Sequence, residues 1–276
     1  MISIFGGTGF IGGRFLELYK DQAVKIDRNN YIPKSNEILY FISTTDNHNV
    51  FTDPHKDIDT NLTVLINVLQ NCKKGDTFNY ISTWSVYGDV PLPAREDGPC
   101  NPKGFYGSTK RCAEQLTISY CETFGINYRI LRLCNVLGET DKGVSKVKNA
   151  TQYLMGELLA NRDITLYYNG EFTRDYLYVD DVCDALYTCI RYSEPNQIIN
   201  IGSGTHHVFK DVILYCAREL NSKSKIGYTD PSISSFHDKV QAKNMYLDST
   251  KLNLLGFKPI YTVWDSLNVI LEHMKK

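Results

Sequence analysis

The sequence lacks the marks of a metal-binding, membrane-spanning or nucleic-acid-binding protein. No two of its eight cysteines (Cys72, Cys100, Cys112, Cys121, Cys134, Cys183, Cys189 and Cys216) are spaced C-x-x-C. The six histidines add no zinc-type spacing, so no metal is expected. Cysteines scattered in this way read as reduced, partly buried thiols, which points to a cytoplasmic location. No apolar run approaches the ~20 residues of a membrane span. The first strand-like stretch begins at Ile2, which leaves no room for a signal peptide. Neither charge sign is in excess, with 30 Lys+Arg against 31 Asp+Glu, so no field favours nucleic acid or an acidic membrane. Internal repeats and low-complexity segments are also missing.

What remains is a 276-residue chain, 42% apolar, long enough for one large domain or two smaller ones. Residues 1–5 are short, apolar and strand-like, and Gly6-Gly-Thr-Gly9-Phe-Ile-Gly12-Gly13 follows at once. Phe15, Leu16 and Tyr19 then recur at helical spacing. Strand, glycine turn and helix in this order suit a dinucleotide. The glycines give a tight turn, close approach to a pyrophosphate and close helix packing, and the helix N-terminus faces the phosphates. Gly6, Gly9 and Gly12, with Phe10 and Ile11 between them, form the expected cofactor cradle. Residues 23–27 read as a second strand ending in Asp27, where an acid would grip a ribose diol. Asp27 favours NAD. Arg28 is placed to pair with a 2′-phosphate, so NADP is not excluded.

Further strands are expected at 37–43, 78–82 and 127–133, and helices at 57–72 and 106–124, with Gly125 as a C-cap. This alternation predicts an α/β fold built on a doubly wound parallel sheet. After residue 135 the pattern loosens, with helices expected at 149–160, 182–192, 209–220 and 263–274 and strands at 164–168 and 198–201. The division expected is a mainly dinucleotide-binding domain over 1–135 and a smaller α/β substrate-binding region over 136–276. Some elements of the second would return to the first.

Tyr106-Gly-Ser-Thr-Lys110 puts a phenol and an ammonium on one helix face. A lysine so placed favours the phenolate and is expected to lower the tyrosine pKa, which would make Tyr106 a general acid or base. The strand that precedes this helix ends at Ser82-Thr-Trp-Ser85, so Thr83 can offer a hydroxyl beside Tyr106. The expected catalytic set is Thr83, Tyr106 and Lys110.

With these residues in place, the chain resembles the extended short-chain dehydrogenases/reductases of the nucleotide-sugar epimerase/dehydratase family over nearly its whole length. Besides the glycine turn and Tyr106-x-x-x-Lys110, the similar segments are Asp53-Pro to Asn61, Ile81-Ser-Thr83-Trp-Ser-Val-Tyr-Gly88, Arg132-Leu-Cys-Asn135-Val-Leu-Gly138 and Gly170-Glu-Phe-Thr-Arg174-Asp-Tyr-Leu-Tyr-Val-Asp-Asp181. Asn200-Ile-Gly202-Ser-Gly204 and Leu255-Gly-Phe-Lys-Pro259 complete the pattern. The resemblance implies an NAD(P)-dependent enzyme for nucleotide-diphosphate sugars. Tyr106 and Lys110 would also contact the cofactor, Asn61 would support the catalytic helix, and Thr83, Ser85, Asn135 and Arg174 would meet the substrate. Arg174 would hold the diphosphate, alone or with His237, Lys239 or Lys243. It also implies a homodimer through a bundle of the helices near 58–69 and 106–124, with Leu65, Ile118 and Cys121 as apolar candidates.

Two departures matter. Dehydratases of this family carry an Asp-Glu pair after the catalytic threonine, where this chain has Trp84 and Ser85, so dehydration is not expected. The segment between the second and third strands is short, which leaves few adenine contacts. The reading favoured is a 4-epimerase working by transient oxidation at sugar carbon 4. A 4-keto-6-deoxy-sugar reductase is the alternative, and a non-catalytic NAD(P)-binding regulator the second. Sugar selectivity would lie in loops 86–104 and 139–149.

Overall fold

The computed structural model describes residues 1–46, 48–142, 144–145, 149–229, 239–240 and 242–276. Part of the 139–149 loop and residues 235–238, with His237, lie outside them. The first half runs β1 (Ile2–Phe5), α1 (Phe10–Leu18), β2 (Ala23–Lys25), β3 (Glu37–Tyr40), α2 (Asn49–Thr52), α3 (His55–Ile58), α4 (Val64–Leu69), β4 (Thr77–Thr83), α5 (Gly104–Phe124) and β5 (Asn127–Leu133). The second half adds β6 (Asn135–Leu137), α6 (Ala150–Leu159), β7 (Ile164–Tyr167), β8 (Thr173–Arg174), β9 (Tyr176–Tyr178), α7 (Val179–Tyr192) and β10 (Gln197–Ile201). It closes with β11 (His207–Val208), α8 (Phe209–Glu219), β12 (Ile226–Thr229), α9 (Thr250–Leu254) and α10 (Val263–Met274).

Six strands form one parallel sheet in the order β10-β5-β4-β3-β1-β2, as the alternating pattern predicts. The cores of β1, β4 and β5 are buried almost without interruption, because helices cover both faces. On one face Leu39, Leu131 and Ile199 pack against Val182, Leu186 and Cys189 of α7. On the other, Tyr40, Tyr80 and Ile130 pack against Leu65, Leu69, Ala113 and Cys121. A third cluster joins β7 to α6, α8 and α10.

The chain leaves β1 for β2 on one side and returns to β3 on the other. That reversal opens a crevice at the carboxyl ends of β1 and β3. A dinucleotide fold commonly has two strands beyond this switch point. Here there is one. The short link from β2 to β3 contains no helix, so β2 is the edge of the sheet.

Several boundaries differ from the expectations. β2 ends at Lys25, two residues before Asp27. The helix expected over 57–72 starts at His55 and ends at Leu69, and residues Asp59–Thr63 take a wider π turn within it. Helix α7 begins at Val179, one turn before the apolar periodicity announces it. Gly125 caps α5 in a left-handed conformation (φ 67°), as expected. Leu65 and Cys121 are fully buried in the core of the single chain, so neither is free to form an interface; Ile118 is partly buried. Apolarity alone does not distinguish the two uses.

Helix α5 is tied to the sheet by a buried ionic knot. Glu114 accepts from Arg132 Nε at 2.9 Å and Nη2 at 2.8 Å, from Arg111 at 2.7 Å and from Ser82 Oγ at 2.5 Å. Burial alone would raise this carboxyl, but the bonds and charge of Arg132, then Ser82 and Arg111, outweigh it and hold the group below its usual range. Removing one partner of a buried pair strands the other charge. Glu114→Gln should therefore lose about 3–5 kcal/mol of stability in urea unfolding.

Candidate active site

The parallel arrangement brings Thr83, Ser43 and the glycine turn to the same edge of the sheet, since each lies at or just beyond the carboxyl end of its strand. Tyr106 lies in the first turn of α5. It is partly buried, and the hydroxyls of Thr83 and Ser43 lie beside its phenol. Burial pushes Tyr106 up to about 12, although both hydroxyls act to lower it. The Thr83 hydroxyl donates to Ser85 Oγ at 3.2 Å and accepts from the Ser85 N–H at 3.2 Å.

Lys110 does not act on Tyr106 as expected. Its ammonium donates to the Ile81 carbonyl at 2.7 Å and stands 4.2 Å from the centroid of the Tyr80 ring. Burial lowers Lys110 to about 7, against the opposing charge of Glu114. An ammonium turned to a carbonyl and a ring is not directed at the Tyr106 phenol. The i, i+4 spacing places both residues on one face of the helix. It does not fix what each one touches.

Thr83, Ser85, Tyr106, Asn135, Arg174 and Phe10 line one cavity of about 580 Å³. Arg174 is buried. Its guanidinium donates to the carbonyls of Thr173 (2.9 Å), Lys243 (2.7 Å) and Ala242 (3.2 Å). It also lies 4.5 Å from the Phe172 ring centroid and 5.3 Å from that of Trp84. Burial lowers it to about 10, which leaves it cationic at neutral pH. Asn135 commits its side-chain N–H to Asp175 O at 3.0 Å. Lys243 also lines the cavity. Gly6, Gly9, Ile11, Gly12, Asp27, Arg28 and Lys110 do not line it.

The glycine turn is built for close approach. Gly6 has φ +83°, and a Cβ on Gly12 would stand 2.6 Å from the Gly6 carbonyl oxygen. Gly9 precedes α1 with no side-chain cap, so the first amides of the helix are left for another acceptor. Asp27 is exposed beyond β2 and pairs with Lys25 at 3.5 Å. These features fit a dinucleotide: the turn and the α1 amides would hold its pyrophosphate, and Asp27 a ribose.

One support of Tyr106, Ser43, was not read from the sequence, and a second, Asn61, was read without its partners. Ser43 follows β3, and a polar residue at the carboxyl end of a parallel strand was the available signal. Asn61 was expected to brace the catalytic helix, and the partners through which it reaches that helix appear only in the fold. It lies in the π turn, accepts from Thr44 N at 2.9 Å, and donates to Thr44 Oγ1 at 2.9 Å and Thr109 Oγ1 at 3.1 Å. Such turns recur at functional sites.

A family model described as the NAD dependent epimerase/dehydratase family matches residues 27–202. A protein of Methanocaldococcus jannaschii named "Putative UDP-glucose 4-epimerase" is 26% identical over 311 aligned residues, covering 100% of this chain and 98% of that one. Among solved structures, the UDP-glucose 4-epimerase of Thermotoga maritima with UDP-glucose superposes with a TM-score of 0.86 at 20% identity, covering 99% of this chain and 98% of that chain. The UDP-glucuronic acid 4-epimerase of Bacillus cereus, with UDP-glucuronic acid and NAD, gives a TM-score of 0.86 at 22% identity and the same coverage. These two likenesses establish the fold.

Two measurements test the geometry. Gly12→Ala should weaken dinucleotide binding by at least about tenfold in calorimetry, since the added methyl strikes the Gly6 carbonyl. Lys110 is held at about 7 in the fold against an ordinary 10.5. Between those values the unfolded chain binds more protons, so this group makes stability rise with pH. Lys110→Met should flatten that rise in urea midpoints measured from pH 7 to 10.

Proposed function

The chain belongs to the NAD dependent epimerase/dehydratase family, and from that premise we propose that it is a nucleotide-sugar 4-epimerase acting by transient oxidation at sugar carbon 4. The observation that carries this reading is the shared cavity. The Tyr106 and Thr83 hydroxyls stand at the carboxyl end of β4, and the buried Arg174 cation belongs to the same lining. An arginine suits a diphosphate, and a phenol beside a second hydroxyl suits a sugar alcohol or ketone.

In this reading Arg174 anchors the diphosphate and Tyr106 exchanges a proton with the sugar 4-oxygen. Thr83, with its hydroxyl turned from Ser85, holds that oxygen. The β4–α5 junction keeps these atoms in place, and the cavity wall limits water. A bound nicotinamide dinucleotide would supply the hydride acceptor and donor. Trp84 and Ser85 provide no acid–base pair for loss of water, so dehydration is not part of the proposal. Because the family is one of enzymes, the regulator alternative is set aside.

A second reading, a nucleotide-sugar 4-ketoreductase, is favoured by one observation. The Tyr106 phenol faces the cavity beside Thr83, and a phenol is the proton donor that reduction of a ketone needs. A homodimer and a cytoplasmic location stay with the proposal; light scattering tests the first.

The deciding assay is a panel of UDP- and dTDP-sugars and their 4-keto-6-deoxy forms, with and without added NAD(P)H. An epimerase interconverts sugars with no net consumption of cofactor. Stoichiometric oxidation of NAD(P)H replaces that reading with the reductase. Under either, Tyr106→Phe should cost about 10²–10⁴-fold in kcat.

A further inference from the structure

Trp84 follows Thr83 directly and opens the short helical turn Trp84–Val86. It lines the cavity, and its ring centroid is 5.3 Å from the Arg174 guanidinium. One side chain therefore adjoins both ends of the proposed machinery, the Thr83–Tyr106 hydroxyls and the buried cation. In the reading above, a sugar tethered through its diphosphate to Arg174, with its 4-oxygen at Tyr106, shares this cavity with the indole.

We propose that Trp84 determines the sugar class, selecting neutral pyranoses and rejecting those with a carboxylate at carbon 6; this rests on the nucleotide-sugar reading above. The face of an aromatic ring is negative. It attracts the C–H groups of a pyranose and repels an anion. The cationic side chains among the described lining residues are Arg174 and Lys243. Arg174 spends three N–H groups on backbone carbonyls, and its remaining capacity goes to the diphosphate. The Lys243 ammonium stands 5.2 Å from the Tyr168 ring centroid. The other charged groups of the lining are the acids Asp141, Glu157 and Asp163. Among the described lining residues, a sugar carboxylate against the indole would lose water and find no cation beyond the engaged Arg174 and Lys243, and an unpaired buried charge is costly. A neutral hexose loses nothing comparable and gains apolar contact.

The chain has two tryptophans, so Trp264→Phe leaves Trp84 as the single fluorescent reporter. Trp264 packs on His207 and Tyr215 and is not among the residues that line the cavity. In that background, UDP, UDP-glucose and UDP-glucuronate are titrated by fluorescence and by calorimetry, and the dTDP series likewise. UDP-glucose should perturb Trp84 emission and bind at least about tenfold more tightly than UDP-glucuronate. Read by calorimetry, Trp84→Ala should abolish that preference while leaving the affinity for UDP within about twofold, and Trp84→Phe should restore most of it. Equal binding of the two sugars, or a preference that survives Trp84→Ala, overturns the role of Trp84 alone. A loss of UDP affinity in Trp84→Ala would reassign the residue to holding Arg174 and also overturns it. If neither UDP nor dTDP binds in any arm, the nucleotide-sugar reading fails and the inference with it.

Discussion

The site depends on how helix α5 is docked on strand β4. Polar side chains at four-residue intervals along one face of the helix each find a partner on that strand. Tyr106 meets Thr83, Lys110 meets the Ile81 carbonyl, and Glu114 meets Ser82. Arg132, from the neighbouring β5, locks the innermost contact with two short bonds to Glu114. A slip of α5 by one turn would break all three contacts together and leave buried charge uncompensated. The position of the phenol is therefore set from below, by groups that never approach the cavity. The π turn adds a lateral brace, because Asn61 joins Thr44 to Thr109 on α5.

Much of this was legible in order along the chain. The glycine turn, the alternating apolar segments and the Tyr106–Lys110 spacing are local patterns, and local patterns report local structure well. The partners that tertiary packing chooses were harder to read. Nothing in the spacing of Tyr106 and Lys110 tells that the ammonium will turn to Ile81 and Tyr80 and lose charge to burial. Leu65 and Cys121 illustrate a similar blindness: an apolar helix position reads the same whether it faces the core of its own chain or another molecule. Asp27 stands two residues beyond the end of β2, although Ile26 between them is still buried and bonded to Ile4. Ser43 escaped because a serine after a buried strand looks like the start of a loop.

The cavity combines two kinds of recognition. At Arg174, a cation taken out of water and tied to three carbonyls keeps its charge, which creates strong demand for an anionic ligand. At Thr83 and Tyr106, the proposed reading has neutral hydroxyls meet a partner whose charge changes during reaction. Separating anchoring from chemistry in this way lets binding energy from an unreactive group hold the reacting one in place. Phe10 lies on the cavity wall and within the glycine turn, so its side chain joins the cofactor region and the substrate region.

The single strand beyond the switch point has a further consequence for how the fold can be altered. The sheet takes its register from β1, β3, β4 and β5, whose pairings do not involve the link between β2 and β3. Extra length there would be added at the rim, and the cost of closing a loop grows only slowly with its length. The link is therefore a modular joint. A strand and helix can be grafted onto it or left out while the proton-transfer centre on the far side of β1 keeps its geometry.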